Sequence, residues 1–164
     1  MIEMEIVGVR VEMHSNAPIV LLREKTPSAR LLPIFVGMSE ATAIALCLEG
    51  KQPPRPMTHD LMIQVLGELT ADLERIVVTE LRDKTFFAEI HLNSSAGTSV
   101  ISSRPSDAIA LAVRSGAAIF VNEDVVGIAG YAGTRGDQQL DSEEVVEQFK
   151  EFIDSVSPED FAQS

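Results

Sequence analysis

Two short segments gather the residue types that handle phosphate. The first, Pro53-Pro54-Arg55-Pro56-Met57-Thr58-His59-Asp60-Leu61, delivers an arginine, a threonine, a histidine and an aspartate together at a helix start. Free backbone amides and the helix dipole favour an anion at such an end, and Arg55 can hold a phosphate through two hydrogen bonds. Histidine is the residue type best suited to proton transfer, so His59 can serve as a base, while Asp60 can bind a hard cation such as Mg2+. The second, Ser102-Ser103-Arg104-Pro105-Ser106-Asp107-Ala108-Ile109-Ala110-Leu111-Ala112, repeats the pattern, with arginine and proline entering a helix beside a hydroxyl and an aspartate. Facing one another across a cleft, the two corners would supply paired arginines and paired carboxylates. The plainer reading is that Thr58 and Asp60, or Ser106 and Asp107, only cap their helices and that the prolines stiffen turns. An aspartate at a helix start also repels phosphate unless a metal or an arginine intervenes.

Other polar residues offer less. Glu40 and Glu49 stand nine positions apart, so at 100° per residue they point in opposite directions and do not share a metal. Glu40 reads as a first-turn charge and Glu49 as a solvated one. His14 and His91 read as strand-end histidines at or near the surface, and the single cysteine, Cys47, as a small core filler. No zinc-type cluster, Walker loop, dinucleotide fingerprint or nucleophile elbow is present, nor a basic, aromatic-studded stripe for single-stranded nucleic acid.

The elements that must position these corners follow from periodicity. Val7, Val9, Val11 and Met13 alternate with polar or small residues, predicting a strand over about Glu3 to Met13. Ile19 to Leu22 and Leu31 to Val36 flank a turn-rich stretch and predict a hairpin, with Pro33 marking an edge or a bulge. A helix capped by Ser39 covers about Glu40 to Glu49 and ends at Gly50. A second, capped by Thr58, carries Leu61, Met62, Val65, Leu66 and Leu69 as its buried stripe. Ile76 to Leu81, Phe86 to Leu92 and Thr98 to Ser102 form an antiparallel meander, and a third helix runs from Pro105 to Gly116. Ile119 to Val121 is a short strand, Asn122 caps a brief helix from Glu123 to Ile128, and Gly127 to Gly136 is glycine-rich, a candidate mobile loop. Beyond it Val145, Phe149, Phe152, Ile153 and Val156 outline an amphipathic helix that must dock on the domain or on another subunit. Strands in runs favour α+β: a mixed, largely antiparallel sheet with helices packed on it, plus that C-terminal helix.

The 164 residues suit one domain with an appendage, divided as 1–130, a linker 131–140 and an extension 141–164. Net charge is −12, and the segment from Asp137 to Ser164 contributes nine acids against Lys150 alone. Such acidity opposes tight binding of a polyanion. The lone cysteine, the absence of an apolar run of membrane-spanning length and the charged start imply a cytoplasmic protein outside the membrane.

Leu32-Pro33-Ile34-Phe35-Val36-Gly37 with Glu40-Ala41, then Leu48-Glu49-Gly50, Pro53 to Leu61 and Arg104 to Ala112 resemble, in this order, the blocks of the bifunctional nuclease family. The resemblance covers about Met4 to Gly130, and the tail from Phe149 to Phe161 is similar to the end of bacterial members. It implies hydrolysis of phosphodiester bonds in DNA and RNA by a compact α+β protein that associates as oligomers, a dimer being the simplest. Arg55, His59, Asp60, Arg104 and Asp107 are the polar residues at the matching blocks. The expected site has Asp60 and Asp107 holding Mg2+ or Mn2+ and His59 activating water, with Arg55 and Arg104, aided by Thr58 and Ser106, binding the phosphate. The rival expectation is a non-enzymatic regulatory module that binds a small anion or a protein in the same cleft.

Overall fold

The computed structural model describes residues 1–12, 17–27 and 29–132. Its strands are β1 (Ile2–Val11), β2 (Pro18–Glu24), β3 (Leu31–Phe35), β4 (Ala71–Arg82), β5 (Thr85–Ser94), β6 (Gly97–Ser103) and β7 (Ala118–Val121). Its helices are α1 (Met38–Leu48), α2 (Thr58–Glu68), α3 (Pro105–Ser115) and α4 (Glu123–Ala129). The strands form one sheet in the order β3-β2-β1-β7-β4-β5-β6, in which only β4 and β7 pair in parallel. The protein is thus α+β with a mixed, largely antiparallel sheet, as the runs of strands predict.

Local chemistry sets the turns and edges. Asp83 and Lys84 both take positive φ, 50° and 64°, giving the two-residue hairpin turn whose twist matches the flanking strands β4 and β5. Pro33 falls on β3, an outer strand, where its missing N–H costs no ladder bond on the open side. Gly116 ends α3 at φ 71°, a conformation that costs glycine nothing.

One core joins the sheet to the helices. Met4, Val20, Leu22, Leu32, Ile34, Ile76, Val78 and Val121 meet Ile44, Ile109, Leu111, Val125 and Val126 there. α3 is the central helix: every residue from Pro105 to Ala112 is buried except Asp107, and α1 and α2 pack along it. Its small residues Ala108, Ala110 and Ala112 let neighbours approach closely.

Several local expectations are corrected. Ser39 and Thr58 are helical rather than caps; the caps are Gly37 and Met57, and no side chain of Ser106 or Asp107 caps α3, whose cap is Arg104 behind Pro105. Asn122 is a cap by position only, since its side chain donates to the carbonyl of Thr79 at 2.7 Å. Of the stripe expected to bury α2, Leu66 is half-buried against the core, but Leu61, Met62, Val65 and Leu69 are exposed, and the helix packs through buried His59, half-buried Ile63 and Leu66. His91 lies inside β5, half-buried, with Arg75 beside its Nδ1 at 3.2 Å. Gly127 lies within α4 and Tyr131 bridges to Leu31, so this part of the expected glycine loop is ordered structure. His14, the remainder of that loop and the C-terminal helix fall outside the described residues.

Candidate functional site

The first turns of three helices meet. Glu40 is the third residue of α1, His59 the second of α2 and Asp107 the third of α3, with Arg104 immediately before α3. His59 Nε2 stands 3.3 Å from Asp107 Oδ1, although the two residues are 48 positions apart. Arg104 spans the other side: its Nε donates to Asp107 Oδ2 at 2.7 Å, and its Nη2 donates to Asp107 Oδ1 at 2.9 Å and to Glu40 Oε1 at 2.8 Å. A single guanidinium therefore ties together carboxylates from two helices, one of which also faces the imidazole of a third.

Accessibility grades this cluster from inside to outside. The His59 side chain is 10% exposed and that of Asp107 27%, whereas Arg104 is 66% exposed and presents its guanidinium to solvent. Burial raises the Asp107 carboxyl, but hydrogen bonds from Arg104 and His59 outweigh it, and the group stays ionised below the usual carboxylate range. Arg104 is held still more firmly in its charged form by Asp107 and Glu40. Helix N-termini place partial positive charge at the same spot, which favours both carboxylates. Gly37 leaves room for this arrangement, because a Cβ there would collide with the Glu40 carboxylate.

Asp60 closes the start of α2, as the plainer reading of its position has it, and is also held by α3. Its Oδ2 accepts from the Met57 backbone N–H at 2.8 Å and closes the start of α2, and its Oδ1 accepts from Arg114 Nε at 2.5 Å. Arg114 is 7% exposed and donates also to the carbonyls of Ala110 at 2.8 Å and Ala43 at 3.0 Å, so one side chain joins α1, α2 and α3. Arg114 follows Asp107 by seven residues, two helical turns, so His59 and Asp60 bind the same face of α3 at different heights. Arg114 draws the Asp60 carboxyl below its ordinary range.

Of the expected site residues, His59, Asp107 and Arg104 come together. Asp60 is engaged by Arg114, and Arg55 and Thr58 are exposed on the approach to α2 without a hydrogen bond to that cluster. Ser106 is buried, 6% exposed, beneath the first turn of α3. Glu40 and Arg114 were not expected. Glu40 was read as a first-turn charge, which it is, but its link to Arg104 was not foreseen; Glu49 is exposed and pairs with Lys51. The signal for Arg114 was its spacing from Asp107, a lone base in the last turn of an otherwise apolar helix. Among the described residues, no three His, Cys, Asp or Glu side chains are gathered so that they could hold a metal ion. No helix among them is long and apolar enough to cross a membrane.

The model of a family described as the bifunctional nuclease domain matches residues 20–133, a span that contains Glu40, His59, Arg104, Asp107 and Arg114. Two uncharacterized proteins from two strains of Mycobacterium tuberculosis are each 42% identical over 163 residues, covering 97% of this chain and 97% of the relative. Bifunctional nuclease 1 of Arabidopsis thaliana is 27% identical over 113 residues, which span 67% of this chain and 35% of that protein.

Proposed function

The chain belongs to the bifunctional nuclease domain family, and from that premise we propose that it hydrolyses phosphodiester bonds in DNA and RNA at the junction of α1, α2 and α3. The observation that carries the proposal is the contact of His59 with Asp107 beneath the solvent-facing guanidinium of Arg104. Asp107 accepts a hydrogen bond from the N–H of His59 Nε2 and fixes the ring, leaving Nδ1 as the basic nitrogen that takes a proton from the attacking water. Arg104, with exposed Arg55 on the loop before α2, binds the scissile phosphate and offsets the charge that grows on its oxygens during attack. Glu40 holds Arg104 at the mouth of the site.

A divalent cation shared by Asp60 and Asp107 fits these residues poorly, because both Asp60 oxygens are already committed to Arg114 and Met57. The proposed reaction therefore routes no step through Mg2+ or Mn2+. Activity that EDTA abolishes and either ion restores would add a cation to the site and displace this part of the proposal.

The test is hydrolysis of end-labelled RNA and DNA by purified wild type, His59→Ala and Asp107→Ala proteins with matched circular dichroism. General acid-base catalysis contributes about 10²- to 10⁴-fold, and losses of that size on both substrates are the expected result. Undiminished cleavage by either variant would assign the activity to another site or to a contaminant. Nucleotide binding by calorimetry without any turnover would favour the non-enzymatic anion-binding module.

A further inference from the structure

We propose that the substrate taken at the junction of α1, α2 and α3 is a short unpaired oligonucleotide, held through no more than two of its phosphates, and not a long or double-stranded polymer. The inference rests on the nuclease reading above and adds the length and strandedness of what is cut. Affinity for a nucleic-acid backbone grows with the number of phosphates that cations neutralise, so the charges around the site set its footprint. Arg55, Arg104 and Arg114 are matched in number by Glu40, Asp60 and Asp107, and these six side chains sum to zero. Arg114 is buried against Asp60, which leaves Arg104 and Arg55 as the two guanidinium groups facing solvent there. Arg55 precedes His59 by four residues, so their Cα atoms lie within about 14 Å of each other.

Among the described residues, no row of unpaired cations extends this footprint. Arg23, Lys25, Arg30, Lys51 and Arg75 each already hold a carboxylate. Arg10, like Arg55, has no carboxylate partner among the described residues, but the sheet carries it away from the site. Ser103, the residue before Arg104, aligns through Ala88, Val78 and Val121 with Ile2. Arg10 stands eight residues farther along β1, roughly 25 Å from that row in the strand direction. Residues 133–164 add Arg135 and Lys150 against nine acids. A long strand would therefore leave the two arginines and run over a surface of its own sign.

Exposed apolar side chains stand beside the same residues. Met38, 58% exposed, lies two positions before Glu40 on α1. Leu61 and Met62, 54% and 42% exposed, follow His59 within one turn of α2. A single strand offers its base faces to such side chains, whereas a duplex keeps them stacked inside. Bases flanking the scissile bond that cover Met38 and Met62 remove apolar surface from water, a gain closed to a duplex.

The experiment uses the full chain. Wild type is given labelled RNA and DNA strands of about 2, 4, 8 and 16 nucleotides, and a duplex of the longest. The value of kcat/KM per susceptible bond should level off by about four nucleotides and be at least about tenfold lower on the duplex. Binding of the longest strand to the His59→Ala protein is followed by fluorescence anisotropy over a range of NaCl concentrations. Each phosphate neutralised on a single strand contributes about −0.7 to the slope of log affinity against log salt, so about −1.4 is expected, falling to about −0.7 when Arg55→Ala is added. A slope of about −2 or steeper means three or more phosphates and would overturn the proposal. So would kcat/KM per bond that keeps rising to the longest strand, or a duplex cut as fast as the single strand; either leaves the nuclease reading standing. Absence of cleavage at every length would instead remove that reading, and this proposal with it.

Discussion

Arg114 donates to acceptors on three helices from a position only 7% exposed, and the hydrogen-bonding power of a planar guanidinium explains how one side chain does so. Replacing it with alanine would strand the Asp60 carboxylate and the Ala43 carbonyl, and Arg114→Ala should lower stability by about 2 to 3 kcal/mol in urea unfolding at neutral pH. The pH dependence has a definite sign. Arg114 holds the Asp60 pKa below its unfolded value, so this stabilisation is complete above the ordinary carboxylate value and is lost as pH falls through the lowered one. The gap between wild type and Arg114→Ala should therefore narrow as pH drops below about 4. A gap that widens in acid would assign the role of Arg114 elsewhere. At this scale the sequence identified which residue types gather but not their partners. His59, Asp107 and Arg104 were recognisable because each stands at a helix start beside a proline turn. Glu40 and Arg114 were not, because nothing in a linear chain says that α1 and α2 flank α3.

Among the elements, α2 is the informative failure. It has apolar residues on two faces, and periodicity alone cannot say which face another element will cover. The expected stripe, Leu61, Met62, Val65, Leu66 and Leu69, looks like the natural choice, yet of its members only Leu66 packs, together with Ile63, at seven and four residues from His59. The packed stripe is led by a polar residue, His59, whose ring stands against Asp107. Leu61→Glu and Val65→Glu should each change unfolding free energy by no more than about 0.5 kcal/mol, as substitutions at exposed positions do. A loss of several kcal/mol in thermal or urea unfolding would mean that this face is covered. The strands were read more faithfully as strands, and Pro33 marks an edge as expected, but the alternation read in β1 did not give its buried face: Ile2 and Met4 are buried, Val11 is exposed, and the pairing with β2 shifts between Ile6 and Gly8.

Over the whole molecule, the fold brings the first turns of α1, α2 and α3 from distant parts of the chain to one place, with α3 as the shared wall. The α+β class and the antiparallel meander were legible from the order of elements. The insertion of β7 between β1 and β4, which seats α3 at the centre, was not, because it depends on pairing across more than a hundred residues. The account requires His59 and Asp107 to act as one unit, and a double-mutant cycle on phosphodiester hydrolysis measures that directly. With His59→Ala, Asp107→Ala and the double variant assayed together, the double variant should be scarcely slower than the worse single one. Losses that multiply would contradict the account, since they would mean the two residues contribute independently.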